Sequence, residues 1–371
     1  MLASGASIGY WQGNVKKLID DIGALRPTIF AGVPRIYDRI YNTVMAKAES
    51  SFVFNLLFKF ATSRKFGNMK RGTPQAHSAP MMDRILFSKI KARLGGKVKL
   101  IMSGGAPLAP HVEKFLRTAM CCPVVQGYGL TETMASTFCA VPDNIKHFGT
   151  VGIPFPSVEY RLEAVPDMNY SPFSDPPRGE VIIRGNSVFA GYFNDKEKTA
   201  EAIDKDGFFH TGDIGEITPD GCLKIIDRKK NIFKLSQGEY IAVESIESTY
   251  KKNLFVEQIW VYGNSFESCL VAVVVPNEAK LMDWASKVKG IDGDFASICA
   301  KTETKEMMLS ELTSTGRLAK LKGFEIIKAL HVDAVEFSVD NDLITPTFKL
   351  KRPQLLKYYK DTVDALYTAL R

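Results

Sequence analysis

Chemistry in this sequence is concentrated in a few short stretches. Ser103–Leu108 reads SGGAPL, and Gly104 and Gly105 leave no Cβ between the backbone and a flat or charged ligand. Gln126–Thr133 reads QGYGLTET, which combines an aromatic ring, two glycines, two hydroxyls and a carboxylate. Tyr128 can stack on a base, Thr131 can donate to a phosphate, and Glu132 offers a hard oxygen to a divalent ion. A turn with an ordinary helix cap accounts for the same octapeptide. In His210–Asp213, HTGD, the carboxylate sits in a glycine turn where it can accept from both hydroxyls of a ribose, or it closes a plain Asx turn. Lys349, Lys351 and Arg352 lie in TFKLKR. Each is either a solvated surface cation or, if brought to an oxyanion, an electrostatic catalyst.

Other chemistries are disfavoured. His147 and His210 have no second ligand at metal spacing, so polar packing or substrate shaping suits them better than zinc. Ser103 lacks the GxSxG context of a hydrolase nucleophile. Six cysteines without a CxxC pair give neither a disulfide framework nor a zinc set, and fit a reducing compartment. The surplus of 48 Lys plus Arg over 41 Asp plus Glu is spread along the chain, so nucleic acid is not indicated. Apolar runs such as Cys269–Pro276 fall well short of the ~20 residues of a spanning helix. The first ten residues do not resemble a secretory signal.

The elements that must position these residues follow from patterning. Leu25–Val33 reads as a strand, with Ile36, Ile40 and Val44 on a helix after Pro34; Val98–Met102 is a strand leading into SGGAP, with Val112, Phe115 and Leu116 on the next helix. Cys122–Val125 is a further short strand. This alternation predicts an α/β fold with parallel sheet and ligands beyond the strands' carboxyl ends. From Pro172 short alternating strands take over, including Glu180–Ile183 and Leu223–Ile226 around the turn Pro219–Gly221. After Arg228, a helix at Ile241–Tyr250, a buried strand at Cys269–Val275 and a final helix through Leu355, Tyr359, Val363, Leu366 and Leu370 predict a small α+β domain. The aromatic stretch Phe52–Phe60, flanked by Lys59, Arg64 and Lys65, reads as core packing under a basic turn or as a surface resting on a bilayer.

Taken together, the motifs resemble the adenylate-forming (AMP-binding) synthetases, and within them the long-chain fatty acyl-CoA synthetases of eukaryotic, plant type. The matching pieces are FAGVPRIYDRI (residues 30–40), SGGAPL, QGYGLTET, GTVGIPFP (149–156), RGEVIIRG through GYF (178–193), HTGDIGEITPDG and IIDRKKNIFKLSQGEYI ending at Ile241. The resemblance implies ATP-dependent ligation of a long-chain fatty acid to CoA with Mg2+. It implies an incomplete large α/β domain over 1–227, with a β-rich subdomain at about 172–227, and a mobile α+β domain over 228–371. Residue by residue, Gly105, Ala106, Pro107 and Tyr128 would border adenine and Gln126 would read its edge. Thr131 would contact phosphate and Glu132 would hold magnesium. Asp213 and Arg228 would bind ribose, and Asp227 would be the hinge. Gly238 would line the thiol passage, and Lys349 would approach the carboxylate and α-phosphate.

Two departures qualify the match. The serine-glycine usual before the lysine is Thr347–Phe348 here, and no Ser/Thr/Gly-rich phosphate loop ending in Pro-Lys-Gly stands between Met1 and Lys97. The expectation is a carboxyl-terminal portion of a longer synthetase, with weakened catalysis and apolar surface that opposes a stable soluble monomer. A nucleotide or acyl-CoA binding module, and adenylation of a different carboxylic acid, are the competing expectations. An endoplasmic reticulum surface, the cytoplasm or the peroxisome would suit the branch.

Overall fold

Arg26, at φ +52, ends a first helix (α1, Leu18–Leu25) in the left-handed conformation, with its N–H closing on the Ile22 carbonyl. The first strand therefore starts later than expected, at Ile29–Gly32 (β1). Pro34, which has no N–H to give, opens α2 (Pro34–Glu49), with Ile40 and Val44 facing the core. This computed structural model describes residues 4–14, 17–49, 51–288 and 291–370. It comprises two compact units: Met1–Arg161, Ile182–His210 and Ile217–Ile225 form the first, and Leu162–Val181, Thr211–Glu216 and Ile226–Arg371 the second.

In the first unit β1 joins β2 (Leu100–Ser103), β3 (Val124–Leu130), β4 (Ala135–Cys139) and β5 (Ile153–Pro154) in one sheet of that order. The first three strands run parallel and the last two antiparallel. Tyr37, fully buried, ties the parallel edge together by donating to the carbonyls of Phe30 at 3.2 Å and Met102 at 2.7 Å. Helices α3 (Phe52–Lys70) and α4 (Pro110–Ala119) close the core, where Phe58, Val112, Phe115 and Leu116 meet Ile101 and Val124. Core packing claims little else of the aromatic stretch: Phe52 is 83% exposed, and Val53, Leu56, Leu57 and Phe60 are exposed as well.

Strand β3 is longer than its sequence suggested. The strand expected over Cys122–Val125 does not stop there: Gly127–Leu130 continues it and pairs with Ala135–Cys139. The two glycines weaken a strand signal. Here they let the second strand approach: a Cβ on Gly129 would stand 1.7 Å from the Ala135 carbonyl oxygen.

Next in the chain are four neighbouring strands, β6 (Val158–Glu163), β7 (Arg178–Gly185), β8 (Phe209–Ile217) and β9 (Leu223–Arg228), paired in sequence order. The boundary between units falls within them. This sheet begins at Val158, ahead of the Pro172 from which a β-rich part was expected.

The second unit continues with the hairpin β10 (Ile232–Lys234) and β11 (Tyr240–Ala242), followed by α5 (Val243–Tyr250). Ile241 thus pairs with Phe233 in a strand instead of opening the helix. A three-stranded sheet follows, with β13 (Leu270–Pro276) between antiparallel β12 (Val256–Tyr262) and parallel β14 (Ile327–Val332). LVAVVVP is buried at every position because it is the central strand, covered on both faces. Leu270, Ala272 and Val274 pack with Ile246 and Tyr250 of α5 and with Met308 and Leu312 of α6 (Thr302–Leu318). Val271, Val273 and Val275 pack on the opposite face with Trp260, with Leu355 of α7 (Arg352–Tyr358) and with Val363 of α8 (Lys360–Leu370). The single closing helix expected from spacing is broken at Tyr359, whose buried ring sends its hydroxyl to Asp333 Oδ2 at 2.7 Å. No helix among the described residues is long and apolar enough to cross a membrane. The α/β class, with sheet subdomains and a smaller C-terminal α+β region, is the one expected.

Candidate functional site

In the first unit SGGAPL leaves the end of β2, while QGYG lies within β3. Gly105 takes φ +84 in the loop after β2, a conformation that only glycine adopts at little cost. Gly105, Ala106 and Pro107 are exposed, whereas Leu108 is buried and anchors the loop. A Cβ on Gly104 would lie 3.7 Å from the Gly127 carbonyl oxygen, so SGGAPL and QGYG run side by side. Tyr128 is half-buried with its ring 6.1 Å from that of Phe138.

Gln126 is 5% exposed, and both ends of its amide are engaged within the chain. Its oxygen accepts from the Leu108 N–H at 3.2 Å, and its nitrogen donates to Glu113 Oε2 at 2.8 Å. That geometry makes it a loop anchor.

Thr131–Thr133 forms a single 3-10 turn between β3 and β4. Buried Thr133 closes the turn by accepting from the Leu130 N–H at 2.9 Å. Thr131 is thereby exposed and Glu132 half-buried. Glu132 is fixed at two points: its carbonyl accepts from Phe189 N–H at 2.8 Å, and its Oε1 accepts from the Tyr192 hydroxyl at 3.1 Å. Burial, then the neighbouring carboxylate, pushes the Tyr192 phenol up, which keeps it a donor.

The second unit holds a cluster of charges at the middle of β8 and the end of β9, so Asp213 lies within a strand instead of the glycine turn expected. Asp213, 4% exposed, accepts from Arg228 Nε at 3.0 Å, while the guanidinium itself remains partly in solvent. Asp227 is fully buried. It accepts from the Arg228 N–H at 2.7 Å and from the Glu244 N–H, near the start of α5, at 3.0 Å, so it serves as a remote helix cap. Burial, followed by repulsion from Glu244, drives its carboxyl well above the ordinary carboxylate range, against the two N–H donors. Burial raises Glu244 as well. Gly238 lies in the β10–β11 turn, and its N–H donates to the Leu235 carbonyl at 2.8 Å.

Lys349 is exposed at the end of a tight turn in which its carbonyl accepts from Thr345 N–H at 2.8 Å. Phe348 stands where a glycine is usual and still takes a left-handed φ of +62. Its ring packs against the core that holds Trp260, which offsets the steric cost of about 1 kcal/mol.

Within the first unit the structure brings Gly105–Pro107, in the loop after β2, beside Gln126 and Tyr128 of β3, with Thr131 and Glu132 in the turn that follows. In the second it pairs Asp213 with Arg228 beside Asp227, and sets Gly238 and Lys349 on turns of their own. Sequence reasoning missed Glu113, Glu244, Glu247 and the role of Tyr192. Tyr192 was visible only inside GYF; Glu113 and Arg117 have the i to i+4 spacing typical of a helix-surface pair, yet both are fully buried.

Comparison with known proteins shows the family. The profile of the AMP-binding enzyme family matches residues 1–193. Long chain acyl-CoA synthetase 4 of Arabidopsis thaliana is 51% identical over 99% of this chain and 55% of its own length. Long chain acyl-CoA synthetase 6, peroxisomal, of the same plant is 44% identical over 99% of this chain and 52% of its own. Among solved structures, the A domain of carboxylic acid reductase from Segniliparus rugosus, in complex with AMP and a co-purified carboxylic acid, superposes with a TM-score of 0.77 at 27% identity, covering 98% of this chain and 50% of that one. The chain thus spans about half the length of the curated relatives it matches. By its profile, its motifs and its loop geometry, it belongs to the AMP-binding enzyme family.

Proposed function

We propose that the chain forms part of a long-chain fatty acid–CoA ligase that activates a fatty carboxylate with ATP and passes the acyl group to CoA. The observation that carries this reading is the 51% identity with a long-chain acyl-CoA synthetase over 99% of the chain.

In this reading Gly105, Ala106, Pro107 and Tyr128 border adenine. Gln126 serves it through the loop it anchors. Asp213 and Arg228 take the ribose hydroxyls, and Thr131 donates to phosphate. A carboxylate is a poor electrophile, and its approach to the α-phosphate brings anions together, so Lys349 neutralises charge that grows in the transition state. Magnesium suits a hard carboxylate oxygen: Glu132, oriented by Tyr192, would hold the ion, which would neutralise phosphate charge. Residues 1–227 and 228–371 act as the large and mobile domains, with Asp227 as the hinge. Rotation there changes the lining of the site between half-reactions and brings Gly238 to the thiol passage.

The exposed apolar side chains of Phe52–Phe60 support peripheral contact with a membrane surface, where insoluble fatty acids partition. Similarity to a relative named peroxisomal supports that compartment beside the endoplasmic reticulum surface and cytoplasm.

Calorimetry with ATP, AMP and hexadecanoyl-CoA, together with acyl-AMP formation over a panel of acids, tests the reading. Acyl-AMP with long-chain acids sustains it, binding without acyl-AMP favours a binding module, and acyl-AMP only with aromatic or short acids moves the substrate. Absence of both binding and acyl-AMP defeats it.

A further inference from the structure

Glu113 is a carboxylate with no exposed surface, on α4 and outside every motif discussed so far. Its Oε1 accepts from Arg117 Nε at 2.8 Å. Its Oε2 accepts from Gln126 Nε2 at 2.8 Å and from the Gly149 N–H at 2.9 Å. Gln126 passes the connection on, because its Oε1 accepts from the Leu108 N–H at 3.2 Å. Arg117 Nη2 adds a bond to the Val124 carbonyl at 2.7 Å, at the start of β3. One buried carboxylate is therefore wired to SGGAPL, QGYG and GTVG at once.

Burying an ion pair is costly, and well-packed apolar groups would stabilise the core at least as well. Apolar groups, however, cannot fix the register of three separate segments. An acceptor-only carboxylate facing N–H donors from separate segments can, because a slip in any loop strands a buried donor.

We propose that Glu113 is a positioning residue for the nucleotide, setting through Gln126 and Gly149 the register of three segments, two of which border adenine. The proposal rests on the nucleotide reading given above. Glu113 touches no substrate in this account; it holds the backbone that does.

The test uses the whole chain and two readouts, amide hydrogen exchange and AMP affinity by calorimetry. In Glu113→Gln, exchange accelerates together in the loop at 103–109, the β3 segment 126–130 and the loop at 148–152, with the β12–β14 sheet as an unchanged internal control, and AMP affinity falls about tenfold or more. The swapped pair Glu113→Gln with Gln126→Glu restores the bond between positions 113 and 126 and the acceptor for Leu108. It slows 103–109 and 126–130 again but leaves 148–152 fast, since the side chain at 113 no longer offers an acceptor to Gly149. If Glu113→Gln fails to fold, Gln126→Met preserves the Glu113–Arg117 pair and loosens 103–109 with a matching loss of AMP affinity.

Uniform acceleration through the unit, acceleration confined to residues adjoining 113, or loosened loops with unchanged AMP affinity overturns the proposal. A wild-type chain that gives no heat with AMP overturns the nucleotide reading and this role with it. An absent loop signature in a chain that does bind AMP overturns the role alone.

Discussion

Arg352 grips Glu247 with both ends of its guanidinium, Nη1 to Oε1 at 3.0 Å and Nη2 to Oε2 at 2.9 Å, joining α7 to α5 across 105 positions of chain. Glu247 Oε1 also accepts from the Val261 N–H at 2.9 Å, so the fork ties the segment after Lys349 to both helix and sheet. The pair is largely buried, with the glutamate side chain at 5% exposure and the arginine at 19%. Arg352→Ala leaves a buried carboxylate unpaired and should cost about 3 to 5 kcal/mol in urea unfolding followed by tryptophan fluorescence. Arg352→Lys keeps the charge but loses the planar fork, for a smaller loss of about 1 to 2 kcal/mol. A change under about 1 kcal/mol in Arg352→Ala would show that the fork holds nothing.

Asp227 gives the fold a pH dependence of defined sign. Burial and the Glu244 carboxylate move its pKa from the ordinary 3.8 up to about 7, so the fold favours its protonated form. The stabilisation is complete below the unfolded pKa and is lost as pH rises through the folded one. The wild-type melting temperature should therefore fall from about pH 5 to pH 8 more steeply than that of Asp227→Asn, which lacks the titrating group. The variant should also be less stable by about 1 kcal/mol at low pH, having one acceptor fewer for the two N–H donors. Parallel melting curves against pH would remove Asp227 as the source.

Gly129 has no room for a side chain. A methyl there meets the Ala135 carbonyl carbon at 2.6 Å and its oxygen at 1.7 Å, both backbone atoms of the opposing strand. Gly129→Ala should force β3 and β4 apart at the Thr131–Thr133 turn, costing about 2 kcal/mol or more in thermal unfolding and weakening ATP binding with it. A variant that melts within about 0.5 kcal/mol of wild type would mean that the hairpin is looser than these distances allow.

Phe52, Leu56 and Phe60 recur every fourth residue along α3 and are 83%, 61% and 52% exposed, presenting one apolar stripe beside Lys59 and Arg64. Flotation of the chain with anionic vesicles should be strong and should drop on combined Phe52→Ser, Leu56→Ser and Phe60→Ser, with the melting temperature little changed. Equal flotation of wild type and variant would reject this helix as the contact.

The sequence reading succeeded where one local pattern dominated. Leu270–Pro276 was legible as a buried strand because a run of β-branched residues has few other fates, and Val112, Phe115 and Leu116 placed a helix face correctly. Reading failed where tertiary pairing overrode local chemistry. Gly127 and Gly129 signal a turn until Ala135–Cys139 comes to lie against them, and Ile241 looks helical until Phe233 pairs with it. Buried charge was the least legible feature. Glu113 and Glu247 look like surface residues in a string of letters, and only their partners make their burial affordable.

Lys349 bears the chemical weight of the proposed activity, and its exposure separates catalysis from stability. The most direct measurement is fatty acid-dependent acyl-AMP formation from ATP, with wild type beside Lys349→Ala. The account predicts acyl-AMP from the wild-type protein and a rate roughly a hundred- to a thousandfold lower in the variant, at an unchanged melting temperature. Equal rates in the two proteins would contradict it.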